Sequence, residues 1–152
     1  MRGYLFAALA ACAIPASAQD APPSGTIVIG PPEDLILEVA TGAGGEPVLS
    51  QDAFTLALGG YYRMNFVCPD AQDDSTGFHF EMPDLLKNAH LRVVSVGDIE
   101  IYMQGLTFHA IECDEAGAAR FSFHPMRAGS YDILVRDHLD PPQQAVVTVT
   151  VD

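Results

Sequence analysis

The segment Gly117–His138 constrains the fold more than any other part of the chain, because it holds two strongly alternating stretches. Large apolar and polar or small residues alternate in Arg120–Phe123 and again in Tyr131–Val135. Alternation with a period of two is typical of a β-strand that buries one face. Between the two stretches, Pro125 has no N–H to donate to a ladder, and Arg127–Gly129 favours a turn. The segment therefore predicts a strand, a tight turn and a second strand.

Further short stretches of this kind follow one another along the chain, separated by glycine, proline and aspartate. The pattern predicts strands at 26–29, 35–40, 54–58, 61–68, 78–82, 91–96, 99–103, 106–113 and 144–151, and a single helical turn at 83–88. Many short strands with turn signals between them are typical of a sandwich. The predicted fold class is all-β, a β-sandwich in one domain over residues 26–152.

The N-terminus has the features of an export signal. Arg2 provides a basic start, an apolar stretch follows, and Ala16-Ser17-Ala18 forms an A-x-A cleavage site. We therefore expect a signal peptide over 1–18, a flexible proline-rich lead-in over 19–25, and a mature protein in the periplasm. An alternative is a lipoprotein, since Leu9-Ala10-Ala11-Cys12 resembles a lipobox in which Cys12 carries the lipid. No stretch is long enough for a transmembrane helix.

Charge restricts the possible partners. The chain has 20 acidic and 7 basic residues and a formal net charge of −13. Such a chain repels phosphate backbones, so nucleic acid is not an expected partner. An acidic surface also attracts cations and basic proteins, and a periplasmic or cell-envelope protein remains a possible partner.

Two cysteines, Cys68 and Cys113, remain in the predicted mature protein. In an oxidising compartment an even pair suggests a disulfide. The chain-entropy model predicts that a bridge across the 44 residues between them stabilises the fold by about 4 kcal/mol. Two buried thiols, or Cys113 as a metal ligand, are the alternatives.

Several motifs between Pro83 and Val135 resemble those of exported bacterial cupredoxin-like proteins. They are Pro83-x-Leu85-x-x-Asn88, Ile99-Glu100-Ile101, Ile111-Glu112-x-Asp114-Glu115-x-Gly117 and Phe123-x-Pro125-x-Arg127-x-Gly129-x-Tyr131. The resemblance implies a Greek-key sandwich of cupredoxin type. Many members of this branch lack a full copper site, so the resemblance implies a fold more than an activity.

The comparison with copper-binding cupredoxins also implies a ligand set. His109 matches their first histidine ligand and His138 matches the histidine after the closing hairpin, while Val135 stands where the family has its cysteine. Gln143 falls near the axial position. Without the thiolate, the expected site is a degenerate one that binds copper without the intense blue colour.

His124-Pro125-Met126 is a second candidate site. Residues i and i+2 of a strand share a face, so His124 and Met126 would offer an imidazole and a thioether, a pair that suits Cu(I). The motif is similar to the His-x-Met of periplasmic copper chaperones, and His90 and Met103 stand upstream at an imperfect spacing. An incidental pair of residues is the alternative.

The resemblance implies copper binding or copper handling, and the sequence shows no sign of catalysis. It contains none of the common hydrolase, zinc-protease or phosphate-loop motifs. The alternative function is a metal-free sandwich that serves as an interaction or assembly module of the cell envelope.

Overall fold

The computed structural model describes residues 27–68, 77–96, 100–104, 107–113 and 116–152, with the side chains of all of these except 100–104 and 107. The described chain is built of strands and one short helix. These are β1 (Glu33–Thr41), β2 (Pro47–Leu49), β3 (Ala53–Leu56), β4 (Tyr62–Cys68), β5 (Phe78–Glu81), α1 (Pro83–Lys87), β6 (Ala89–Val96), β7 (Glu100–Gln104), β8 (Thr107–Cys113), β9 (Gly117–Pro125), β10 (Gly129–Asp137) and β11 (Gln144–Val151).

The strands form two sheets. The five-stranded sheet has the order β2-β1-β4-β9-β6, and the six-stranded sheet has the order β3-β11-β10-β5-β8-β7. The pairs β1–β4 and β3–β11 are parallel, and the other pairs are antiparallel. The predicted all-β sandwich is confirmed.

Aromatic rings fill the space between the sheets. Phe66 on β4 and Phe80 on β5 meet across the two layers with their ring centroids 4.6 Å apart, and Phe121 on β9 lies 5.9 Å from Phe66. All three side chains are buried. Burying each one contributes about 1.5–3 kcal/mol. These contacts fix the central strands of one sheet against those of the other.

The segment that predicted a hairpin forms two strands in different sheets. β9 pairs with β4 and β6, whereas β10 pairs with β5 and β11. The connection at 126–128 therefore crosses between the layers, and the predicted pairing of the two strands is wrong. Alternation determines which face of a strand is buried, and it does not determine which strand lies alongside.

Smaller differences lie in the first third of the chain. Residues 27–32 form no strand, and β2 lies partly in a stretch that the sequence predicted as a loop. Among the described residues no helix is long and apolar enough to cross a membrane. The predicted signal peptide, Cys12 and the lead-in at 19–25 lie outside the described residues.

Candidate metal centre

The outer face of the six-stranded sheet carries a cluster of metal-ligating side chains. β5 lies between β8 and β10, and the register places His79 of β5 opposite Glu112 of β8. Phe78 and Phe80, on either side of His79, are fully buried, so the pleat turns His79 away from the core. The residues on both sides of Glu112 are buried as well, which turns the carboxylate to the same outer face.

His138 completes the cluster from the position that follows β10. Its Nε2 lies 3.1 Å from Glu112 Oε1, and His79 Nε2 lies 2.9 Å from the same oxygen. The two imidazole rings are 4.7 Å apart between centroids and inclined by 52°. One ligand atom from each of the three residues lies within 4.8 Å of the other two. Two imidazoles and a carboxylate thus converge on one point.

The cluster is reachable from solvent although its carboxylate is enclosed. The Glu112 side chain is 11% exposed, against 22% for His79 and 33% for His138. Arg136 lies beside His79 in the register, but its Nη2 pairs with Glu81 Oε1. The neighbouring guanidinium is therefore engaged by a different carboxylate from the one that the two imidazoles share.

The donor set and its spacing fit a divalent transition metal. Metal bonds of about 2.0–2.1 Å to imidazole or carboxylate place neighbouring ligand atoms of a tetrahedron about 3.3 Å apart. The observed separations of 2.9 and 3.1 Å are slightly shorter, so a small outward movement of the imidazoles makes room for an ion. Imidazole nitrogen and carboxylate oxygen together suit Cu(II) and Zn(II).

Asp137 holds the loop that carries His138. Its Oδ1 accepts hydrogen bonds from the backbone N–H of Leu139 at 3.1 Å and of Gln143 at 2.9 Å. The Asp137 N–H in turn donates to the Gln143 carbonyl at 3.1 Å. Asp137 is only 3% exposed. These bonds close the loop at both ends and restrict where His138 can lie.

His109 does not join His138, and the expected His109–His138 pair is wrong as a site. β8 and β10 are both antiparallel to β5 and therefore run in the same direction, so the beginning of one is remote from the end of the other. Ala110 lies level with Leu134, which puts His138 about five residues, or ~16 Å, farther along than His109. His109 also occupies a bulge, since Ala110 pairs with Tyr102 while Phe108 pairs with Met103.

His124 is buried and held by contacts with its neighbours, so it does not face an open site. It is 1% exposed, its ring stacks on Tyr61 with centroids 4.6 Å apart, and its Nδ1 lies 3.0 Å from the Gly60 carbonyl oxygen. A carbonyl only accepts, so Nδ1 carries the proton and donates. Met126 lies beyond the end of β9 and is half-buried. Among the described contacts none joins the side chains of His124 and Met126, and a Cu(I) site there stays a prediction.

The remaining residues that the sequence suggested as ligands lie outside the cluster and make other contacts. Cys68 of β4 and Cys113 of β8 are joined as a disulfide between the two sheets, with Cα atoms 6.2 Å apart. Their oxidation in solution stays a prediction. Val135 is fully buried in the core and so faces away from the cluster. Gln143 Nε2 donates to the Gly44 carbonyl at 3.0 Å, which ties the predicted axial residue to another loop.

Sequence reasoning missed two of the three clustered residues. His79 and Glu112 both stand at polar positions of alternating strands, and this outward placement was the available signal. The strand order β8-β5-β10 makes these side chains neighbours. This order could not be derived from the local sequence pattern. His138 was predicted as a ligand, although with a different partner.

Comparison with known proteins supports the fold class and leaves the family open. No protein-family model and no curated protein match the chain. Among solved structures it is similar to Fet3p, a multicopper oxidase that functions in iron import, with 12% identity, 78% of this chain and 27% of that chain covered, and a TM-score of 0.50. It is also similar to auracyanin B, with 13% identity and a TM-score of 0.48, and the match covers 88% of this chain and 99% of auracyanin B.

The chain thus spans about a quarter of the length of Fet3p. At this identity the likeness concerns the fold alone. The fold is a cupredoxin-like β-sandwich, as the sequence motifs implied.

Proposed function

We propose that this protein is a periplasmic, cupredoxin-like copper protein that binds Cu(II) through His79, Glu112 and His138. The observation that carries the proposal is the shared carboxylate oxygen, which lies 2.9 and 3.1 Å from the two imidazole Nε2 atoms. His138 was the ligand expected from the sequence. The proposed site differs from the degenerate cupredoxin site expected there, because it lies on the outer face of the sheet.

Copper is favoured over other divalent metals on chemical grounds. For a given set of nitrogen and oxygen ligands, affinity rises along the first-row metals to Cu(II) and falls again at Zn(II). The acidic chain, with a formal charge of −13, further favours a cation at a partly exposed carboxylate. Zn(II) is the competitor that any binding measurement has to include.

The ligand set favours copper binding or delivery over electron transfer. Blue-copper electron-transfer sites depend on a short thiolate bond, and the cluster contains no thiolate. Its imidazoles are partly exposed, so a partner protein can approach a bound ion. We propose copper handling without catalysis, and we expect no intense absorption at about 600 nm when Cu(II) is bound.

Calorimetric titration with Cu(II) tests this proposal. We expect one ion per chain, and we expect Glu112→Gln to weaken binding by tenfold or more because it removes the charged donor. Glu81→Gln is the matched control, since Glu81 is a carboxylate of the same sheet that pairs with Arg136 and stands outside the cluster. Equal losses in the two variants, or no loss in Glu112→Gln, would contradict the proposal.

One observation favours the metal-free interaction module as a second function. β6 is the last strand of the five-stranded sheet, and three of its valines, Val93, Val94 and Val96, are 57%, 42% and 38% exposed. An exposed apolar edge strand is a surface on which another chain can add a strand. This function gains support if the titration detects no specific metal binding.

A further inference from the structure

The outer face of the five-stranded sheet contains a pair of adjoining cavities, on the opposite sheet from the candidate metal centre. Arg63 of β4 and Arg120 of β9 line both cavities, whose volumes are about 260 and 320 Å³. The side chains around the smaller cavity are supplied by adjacent strands β4, β9 and β6 and by Tyr61 and Pro32 just outside them. The smaller cavity is therefore built on rigid, paired backbone.

The two cavities differ in charge. Asp34 and Glu38 line the larger one together with the two arginines. The smaller one is lined by both arginines and, among the described residues, by no acidic side chain. A negatively charged group is therefore favoured in the smaller cavity and opposed by the carboxylates of the larger one.

The two arginines are held in different ways. Arg63 donates from Nε and Nη2 to the two oxygens of Asp34 at 2.5 and 2.6 Å, so its charge is already matched. The charge of Arg120 helps to lower the pKa of Asp34, but Arg120 makes no direct ion pair with any described residue. In a protein with 20 acidic and 7 basic residues, carboxylate partners are abundant. An arginine that lines a cavity without a direct carboxylate contact is suited to pair with a carboxylate from a ligand.

Hydroxyl groups lie beside this guanidinium. Ser122 is 4% exposed and lines the smaller cavity, and its Oγ accepts the Tyr61 hydroxyl hydrogen at 3.2 Å. Its own hydroxyl hydrogen remains to be donated elsewhere. Ser95 is paired directly with Arg120 across β6 and β9 and lines the same cavity. Val93, 57% exposed, adds an apolar wall.

We propose that the smaller cavity binds a small organic monocarboxylate. Arg120 offers the planar fork of donors that matches a carboxylate, Ser95 and Ser122 add hydroxyl donors, and Val93 contacts the hydrocarbon part. A cavity of about 260 Å³ is smaller than those that hold drug-sized ligands, so the ligand is small. The net charge of −13 disfavours anions with several charges. The proposal is independent of metal binding.

Titration of the ¹⁵N-labelled protein with benzoate, followed by two-dimensional NMR, tests the proposal. We expect saturable shifts around residues 63, 93–95 and 120–122, and we expect Arg120→Gln to weaken binding at least tenfold. Arg127→Gln is the matched control, since Arg127 is an exposed arginine in the connection at 126–128 that lines neither cavity. Benzamide, which has the same shape without the charge, should cause no comparable shifts.

Each other outcome overturns the proposal. Shifts that do not saturate, or unchanged affinity in Arg120→Gln, exclude this cavity as a carboxylate site. Equal binding of benzamide shows that only the apolar wall is used. Inorganic phosphate binding at the same residues as tightly as benzoate shows a general anion site instead of a carboxylate site.

Discussion

Histidines on the two outer faces of the sandwich differ in what surrounds them. On the six-stranded sheet, His79 and His138 share one carboxylate oxygen and remain 22% and 33% exposed. On the five-stranded sheet, His124 is 1% exposed, stacked on Tyr61, with its Nδ1 donating to the Gly60 carbonyl. Both faces carry outward imidazoles, and among the described residues only the six-stranded sheet brings three metal-ligating side chains together.

The difference shows that the neighbours across the sheet decide the role of a histidine. At His79 the strand alongside supplies Glu112, an acceptor with a negative charge. At His124 the nearest acceptors are backbone carbonyls, which fix the ring but carry no negative charge. We therefore propose metal binding on the first face and a contribution of His124 to fold stability on the second.

The disulfide joins the two sheets in the interior, and its loss is the largest stability change that we expect. Replacing both Cys68 and Cys113 by alanine should lower the free energy of unfolding by about 2–4 kcal/mol, because the bridge closes a loop with a sequence separation of 45. Urea denaturation of the variant and of the reduced wild type measures the change. Rapid labelling of both cysteines in the native, unreduced protein would show that no bridge exists.

Removing one imidazole of the cluster should give the next largest effect. We expect His79→Ala or His138→Ala to weaken Cu(II) binding about 100-fold, which corresponds to about 2.8 kcal/mol, because one of three converging ligands is lost. Competition titration against a chelator of known affinity measures it. His109→Ala is the control and should change the affinity little; a loss as large as that of His138→Ala would restore the original pairing of His109 with His138.

The opposite pattern is expected for His124. His124→Ala should lower the free energy of unfolding by about 2 kcal/mol, because it opens a cavity beside Tyr61 and leaves the Gly60 carbonyl without its donor. Cu(II) affinity should be unchanged. Urea denaturation and metal titration of the same variant separate the two quantities, and a variant of normal stability with weakened copper binding would reverse our assignment of the two faces.

The loop clamp should have a smaller effect on the metal. Asp137→Ala removes the acceptor for the Leu139 and Gln143 N–H groups, so we expect Cu(II) affinity to fall about tenfold as His138 becomes less restricted. Asp137→Asn retains one side-chain oxygen and should lose less. Equal losses in the two variants would indicate that the negative charge of Asp137, and not its hydrogen bonds, supports the site.

Strands β5 and β8 show which part of the site could be predicted from the sequence. Alternation identified both strands, and it identified β4 and β11 almost to the residue. It did not place β5 between β8 and β10, because strand order depends on contacts between segments distant in sequence. The bulge at His109 was also invisible, since one extra residue in a strand leaves no mark in the local pattern.

The smallest effect is expected on the five-stranded face, at the exposed pair of Asp34 and Arg63. The Arg63 hydrogen bonds, with a further one from Asn65, lower the pKa of Asp34 from 3.8 to about 2. A folded-state pKa below the unfolded value means that the pair stabilises the fold above about pH 4 and that this contribution is lost as the pH falls towards 2.

Acid denaturation of Asp34→Asn tests this contribution. The wild type should lose slightly more stability than the variant between about pH 4 and pH 2, by a small amount because solvent screens an exposed pair. Copper binding at neutral pH should be equal in the two proteins. Parallel pH dependence in both would show that the pair adds nothing to stability.

Anomalous diffraction at the copper edge, from crystals soaked with one equivalent of Cu(II), tests the central claim most directly. The account predicts a single peak about 2.0–2.2 Å from His79 Nε2, His138 Nε2 and a Glu112 carboxylate oxygen. A peak at His109, at His124 and Met126, or at Cys113, with none at the shared carboxylate, would contradict it.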